Sequence, residues 1–185
     1  MNVKEYQLEI LNTLMRIFPD QEIIQEWFAE MNKYNLYSPR LDLAIGPFAK
    51  NQRLIEEYDR LQVKHQSFIE GLIRIHNNNL QPFYNEYPNR DYYSATNTNQ
   101  NARCFIAIEI ENSVSRKHLI GGAINASALG RFGLFIAFTE EKFNAMKKLE
   151  GYFQFLSKVG KNTFNTNNLL ILFKDQFTDY INNTV

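Results

Sequence analysis

The sequence predicts an α/β protein, with α+β as the alternative arrangement, built on one central mixed sheet flanked by helices. Three observations carry that expectation. Residues 104–110, Cys-Phe-Ile-Ala-Ile-Glu-Ile, and 132–138, Phe-Gly-Leu-Phe-Ile-Ala-Phe, are nearly unbroken apolar runs, as in strands buried on both faces. Between them, residues up to about 129 carry helical spacing behind Ser113 or Ser115 as cap, and a crossover helix of this kind joins parallel strands. Amphipathic helical patterns stand on either side, over 3–18 and 140–159. The chain has 185 residues, 44% of them hydrophobic and 22% charged, which fits a single domain with a substantial core. Residues 1–36 read as N-terminal helices, 37–138 as the core with a long helical insertion at about 50–76, and 139–185 as a C-terminal helix and strand.

Composition narrows the function classes. Twenty basic and twenty acidic residues cancel, so any nucleic-acid surface has to be a local patch. The single cysteine, Cys104, has no internal disulfide partner and falls in a predicted core strand. No run approaches the ~18 apolar residues of a membrane span and the start shows no apolar signal segment, which predicts a cytoplasmic protein with no membrane partner. HExxH, cysteine-based zinc spacing, GxSxG and a phosphate-binding loop are all missing from the sequence.

Along the chain, Ile10, Leu11, Leu14, Ile17 and Phe18 mark the first helix, and Pro19-Asp20 interrupts it. Ile23, Ile24, Trp27, Phe28 and Met31 then predict a second short helix. Leu41, Leu43 and Ile45 alternate with Asp42, Ala44 and Gly46 in a strand that Gly46-Pro47 ends. Leu54, Tyr58, Leu61, His65, Phe68 and Leu72 recur at alternating steps of four and three. That spacing predicts one long helix, whose seam packs on its own domain or forms a homodimer. Residues 77–101 are a polar connection rich in Asn and Tyr, and one this long is more often functional than filler. Within it Tyr84, Tyr87, Arg90, Tyr92 and Tyr93 have the chemistry to stack on bases and hold phosphate. A strand over 169–173 and a helical turn over 175–182 finish the pattern.

The residues with chemistry to offer are acids on strands. Alternation puts Glu109 and Glu111 on one face with Phe105 and Ala107, and Asp42 on one face with Ala44 and Gly46. Small neighbours leave room above the sheet for a ligand. Carboxylates at the mouth of a buried strand repel and lose hydration unless something positive sits between them, and a divalent metal is the usual solution. On the crossover helix, Lys117, Gly121 and Asn125 fall at steps of four and form one stripe, directed along the sheet towards the acids. Arg116, His118 and Asn125 are the nucleic-acid contacts read on this helix, and Gly121-Gly122 reads as close helix–sheet packing.

An N-terminal helix, a strand bearing Asp42, a later strand ending in Glu109-Ile110-Glu111, a helix and a following apolar strand resemble the core of the PD-(D/E)XK nuclease superfamily, the restriction-endonuclease-like fold. The resemblance covers roughly residues 37–138 and omits most of the helical insertion. It implies that Asp42 and Glu109 bind Mg²⁺, which activates a water to attack a phosphodiester. Pro39 stands three residues before Asp42 instead of adjacent to it, and Glu111 replaces the motif lysine. Some restriction enzymes in the superfamily carry a glutamate there, and in other members the lysine has moved to the adjoining helix, where Lys117 falls.

Phosphodiester hydrolysis needs charge neutralisation at phosphate and a deprotonated water, and Mg²⁺, with Mn²⁺ as substitute, supplies both when carboxylates hold it. Glu111 suits the ligand set or the role of general base, and Lys117 suits orientation of the water or stabilisation of charge on phosphate. The leading expectation is therefore a metal-dependent nuclease acting on DNA in restriction, repair or mobile-element defence. The alternative is a nucleic-acid-binding or regulatory module that keeps the fold without turnover. The third reading is an α/β structural protein whose acids make ordinary polar contacts.

Overall fold

A computed structural model of the chain describes residues 1–29, 38–81, 89–112, 115–161 and 165–184, with the side chain of Arg116 left outside the description. The elements are α1 (Val3–Ile17), β1 (Ile23–Phe28), β2 (Arg40–Ile45), α2 (Ile55–Lys64), α3 (Gln66–Leu80), α4 (Tyr92–Asn97), β3 (Cys104–Glu111), α5 (Arg116–Leu129), β4 (Gly130–Ala137), α6 (Glu140–Lys158), β5 (Leu169–Phe173) and α7 (Lys174–Asn182). Their strands form one mixed sheet in the order β1-β2-β3-β4-β5. β1, β2 and β3 are antiparallel to one another in turn, and β3, β4 and β5 run parallel. Helix α5 is the crossover between β3 and β4, as the apolar runs on either side of it require.

Helices cover both faces of the sheet. On one face, Tyr6, Ile10 and Leu14 of α1, Tyr58 and Leu61 of α2, Phe68 and Leu72 of α3 and Phe177 of α7 pack on Leu43, Ile106, Ile108, Leu134 and Leu170. On the other, Leu119, Ala123 and Ala126 of α5 and Phe143, Met146 and Phe153 of α6 pack on Phe135, Leu169 and Ile171. Gly133 lets α5 approach, since a Cβ there would lie 2.7 Å from the Ala126 backbone. Of the two helix glycines read as close packing, Gly122 faces the Phe135 ring, whereas Gly121 opens onto space with nothing within 4 Å. The outer edge of β5 is closed by α3 and α7. His76 Nδ1 accepts from the Ile171 N–H at 2.9 Å, Asn79 Nδ2 donates to the Ile171 carbonyl at 3.0 Å, and Gln176 Oε1 accepts from the Phe173 N–H. Burial holds His76 neutral, with Nδ1 left as the acceptor this contact needs.

Four elements differ from the sequence expectation, the first being α4 (Tyr92–Asn97), a short helix capped by Asp91 inside what reads in the sequence as a polar connection. The expected second short helix is the strand β1. Glu26 takes φ 51°, which resets the side-chain alternation, so Ile24 and Trp27, three residues apart, share one cluster and imitate helical spacing. The start of β3 departs from alternation too: Cys104 packs with Ala107 and Leu129, while Phe105 joins Ile106 and Ile108 on the opposite face, stacked on Tyr58. Finally, the long helix divides at His65 into α2 and α3, with no proline or glycine at the break. The seam offered for a homodimer, Tyr58, Leu61, Phe68 and Leu72, is consumed in the chain's own core.

Arg90 is also inside. Its guanidinium is paired with Glu150 of α6, bonded to the Asn167 side chain and to the Thr166 carbonyl, and its backbone is clamped by the Asn77 amide. Both partners of the ion pair are nearly inaccessible, 6% and 1% exposed, so removing either leaves an uncompensated buried charge. Arg90→Ala should cost about 3–5 kcal/mol. Urea unfolding measures it; a second change, Glu150→Leu, should restore much of the loss, and an Arg90→Ala protein as stable as wild type would contradict the assignment.

Candidate functional site

The acids expected to work together come from strands 67 positions apart in sequence, Asp42 on β2 and Glu109 on β3. The β2–β3 ladder pairs Ile45 with Ile106, Ala44 with Ala107 and Leu43 with Ile108. Continuing that register sets Asp42 opposite Glu109. There the side chain takes over the pairing: Asp42 Oδ2 accepts from the Ile110 N–H at 2.6 Å, and Asp42 Oδ1 accepts from Gln7 Nε2 of α1 at 2.8 Å. Glu109 is hydrogen-bonded to Asp42 and to Asn125 of α5, which lies over it, and a Cβ on Gly122 would come within 3.9 Å of the Glu109 Cβ. Glu111, 8% exposed, ends the strand.

Two carboxylates in contact cannot both keep a full charge away from water. Burial, then the charge of Asp42, pushes Glu109 up to about 9. Burial likewise raises Asp42 to about 6, against the lowering effect of the Ile110 N–H, and the charges of Glu26 and Glu111 add to the rise. At neutral pH the pair is therefore held by a shared proton.

Glu26, which falls opposite Asp42 between the Gln25–Leu43 and Trp27–Leu41 pairs, is a further acid of this neighbourhood. Its Oε2 stands 2.7 Å from Arg40 Nε, which places one cation beside the acids. A groove of about 990 Å³ runs past Glu26, with Trp27 and Phe48 stacked in its wall at 5.0 Å.

The remaining expected site residues fall in several places. Lys117 and His118 are exposed on the first turn of α5, Gly121 is open above them in the stripe, and Asn125 is turned to Glu109 rather than to solvent. Tyr92 is half-buried and donates to the Gln62 carbonyl, and Arg90 is interior, so Arg90 is not arranged as a nucleic-acid contact. Tyr84 and the side chain of Arg116 lie outside the described residues. Gln7 was missed altogether. A glutamine on a helix face gives no signal until the helix is docked against the acid strand. Among the described residues no three His, Cys, Asp or Glu side chains already surround one point as a metal cage, and no helix is long and apolar enough to cross a membrane.

No family model, no curated protein and no solved structure matches this chain.

The shared proton gives a pH signature. Both acids bind protons more tightly folded than unfolded, so their contribution to stability is complete below about pH 4 and is lost as pH rises through about 6 and then about 9. Glu109→Gln, which keeps the shape and removes the ionisation, should melt higher than wild type at pH 9 and show a smaller advantage at pH 5. A thermal-melt series across that range checks it; a constant difference would show that Glu109 ionises no less readily folded than unfolded.

Proposed function

We propose that this chain is a metal-dependent phosphodiesterase that cuts nucleic acid, a DNA endonuclease of restriction, repair or mobile-element defence. The observation that carries the reading is the contact of Asp42 with Glu109, two acids brought together from separate strands beneath α5. The order of elements supports it as well: a leading helix, an antiparallel run of strands carrying both acids, a crossover helix and a parallel strand accord with the restriction-endonuclease-like fold.

The donor set fits a hard divalent cation. Mg²⁺ prefers one or two carboxylates with the rest of its shell left to water and phosphate oxygens, and Asp42 and Glu109 would hold it, with Glu111 as the third acid. When bound, it supplies a polarised phosphate and an acidified water. The chain's own groups do the remaining work. Gln7 and the Ile110 N–H fix the Asp42 carboxylate, and Asn125 fixes Glu109. Glu111 would either complete the ligand set or serve as the base that takes the proton of the attacking water. Lys117, on the open stripe with Gly121, offsets the excess of negative charge as phosphate approaches.

One observation favours the second reading, a nucleic-acid-binding or regulatory module without turnover. Asp42 already has a donor on each oxygen and Glu109 has two partners, so a shared proton satisfies the pair without metal.

Cleavage of supercoiled plasmid and of single-stranded DNA and RNA, in Mg²⁺ or Mn²⁺ against EDTA, separates them. Activity should require the metal, and Asp42→Asn or Glu109→Gln should lower it by at least about 100-fold. Lys117→Ala should also remove most cleavage while leaving stability within about 0.5 kcal/mol, as for a surface change, and Lys117→Arg should recover little. A wild-type protein that binds nucleic acid but cuts none of these substrates in either metal would favour the second reading.

A further inference from the structure

We propose that α6 is the seam through which two copies of this chain pair, antiparallel and related by a two-fold axis. Glu141, Ala145, Lys148, Tyr152, Phe155 and Val159 recur at steps of four and three, the spacing of a helix–helix seam. Unlike the equally regular α2–α3 seam, this one faces outward. Tyr152, Phe155 and Val159 are 53%, 50% and 45% exposed, and the buried residues of α6, Phe143, Met146 and Phe153, lie on its other side. Beside the N-terminal half of the seam runs a groove of about 700 Å³ between α5 and α6, floored by Leu119, Ala145 and Leu149, with Ile120 exposed at its lip.

The occupant is indicated by self-complementarity. The seam spans about 27 Å, and it is acidic at its start, with Glu140 and Glu141, and basic at its end, with Lys158 and Lys161. Its first half offers a groove and small Ala145, and its second half offers protruding Phe155 and Val159. Turned end for end, a second copy sets Phe155 against Ala145 and the groove, the Tyr152 ring against the Lys148 ammonium, and Val159 at the basic end against Glu141, whose exposed carboxylate also holds Lys142. A parallel copy would instead set Glu141 on Glu141 and Lys148 on Lys148. The groove itself is lined by Glu141, Lys142 and Lys148 around its apolar floor, a mixed-charge rim that suits a second copy carrying both signs. No residue of the acid cluster takes part, so the pairing stands or falls independently of the proposed activity.

Sedimentation equilibrium on the full chain tests it. Wild type should approach twice its 21.8 kDa mass at tens of micromolar, and Phe155→Glu should sediment as a monomer with unchanged far-UV circular dichroism. Orientation is read by cross-linking: Glu141→Cys with Val159→Cys should form a disulfide-linked dimer under mild oxidation, and Val159→Cys alone should not. Buried Cys104 does not interfere. A monomeric wild type, a dimeric Phe155→Glu, or self-linking of Val159→Cys alone would each overturn the proposal.

Discussion

Asp42 and Glu109 reach the same point from neighbouring strands that run in opposite directions, and the backbone pairing of β2 with β3 gives way to side-chain contacts there. Two carboxylic acids in that setting face a fixed choice. Either one proton stays between them at a pH where both would ordinarily be ionised, or a cation takes the proton's place. Gln7, the Ile110 N–H and Asn125 hold the pair so that neither acid can turn away and ionise in water. Among the described residues two cations stand near it. Arg40 lies beside Glu26, and Lys117 is outside on the open stripe of α5.

The scaffold makes this arrangement rigid from both faces. α1 carries Gln7 and is anchored by Tyr6, Ile10 and Leu14 in the larger core. α5 carries Asn125 and lies close to the sheet because Gly133 has no side chain. Asn168, fully buried, donates to the carbonyls of Ser127 and Gly130, and so ties the turn from α5 into β4. Arg131 does the same on the opposite side of the sheet through Asp59, Gln62 and the Asn99 carbonyl. Such buried polar contacts contribute little net stability each, yet losing one partner strands the other.

Much of this was legible in the sequence, and the failures have physical causes. The strand–helix–strand core from β3 to β4 was plain because strands buried on both faces must be apolar throughout. The acids stood out against that background. β1 was mistaken for a helix because the positive φ at Glu26 converts period two into a three-residue step, and a glutamate gives no warning of that conformation. The seam of α2 and α3 was read correctly as apolar, but periodicity does not report which surface it meets. The asparagine-rich connection over 77–101 reads as functional by its length, and asparagines elsewhere carry no signal. Several of those amides, at Asn77, Asn79, Asn99 and Asn168, instead satisfy backbone groups where loops and edges have no ladder partner. Arg90 looks like part of a nucleic-acid surface in the sequence because a polar connection reads as exposed, whereas its guanidinium is buried.

Our proposal rests on the Asp42–Glu109 pair being able to exchange its proton for a cation. Titrating Mg²⁺ into the protein at pH 7 by calorimetry, in buffers of differing ionisation enthalpy, counts the protons displaced on binding. The account predicts that close to one proton leaves per Mg²⁺ bound, and that Glu109→Gln abolishes the release and weakens the binding. Binding with no proton release, or no Mg²⁺-dependent heat in any buffer, would contradict it.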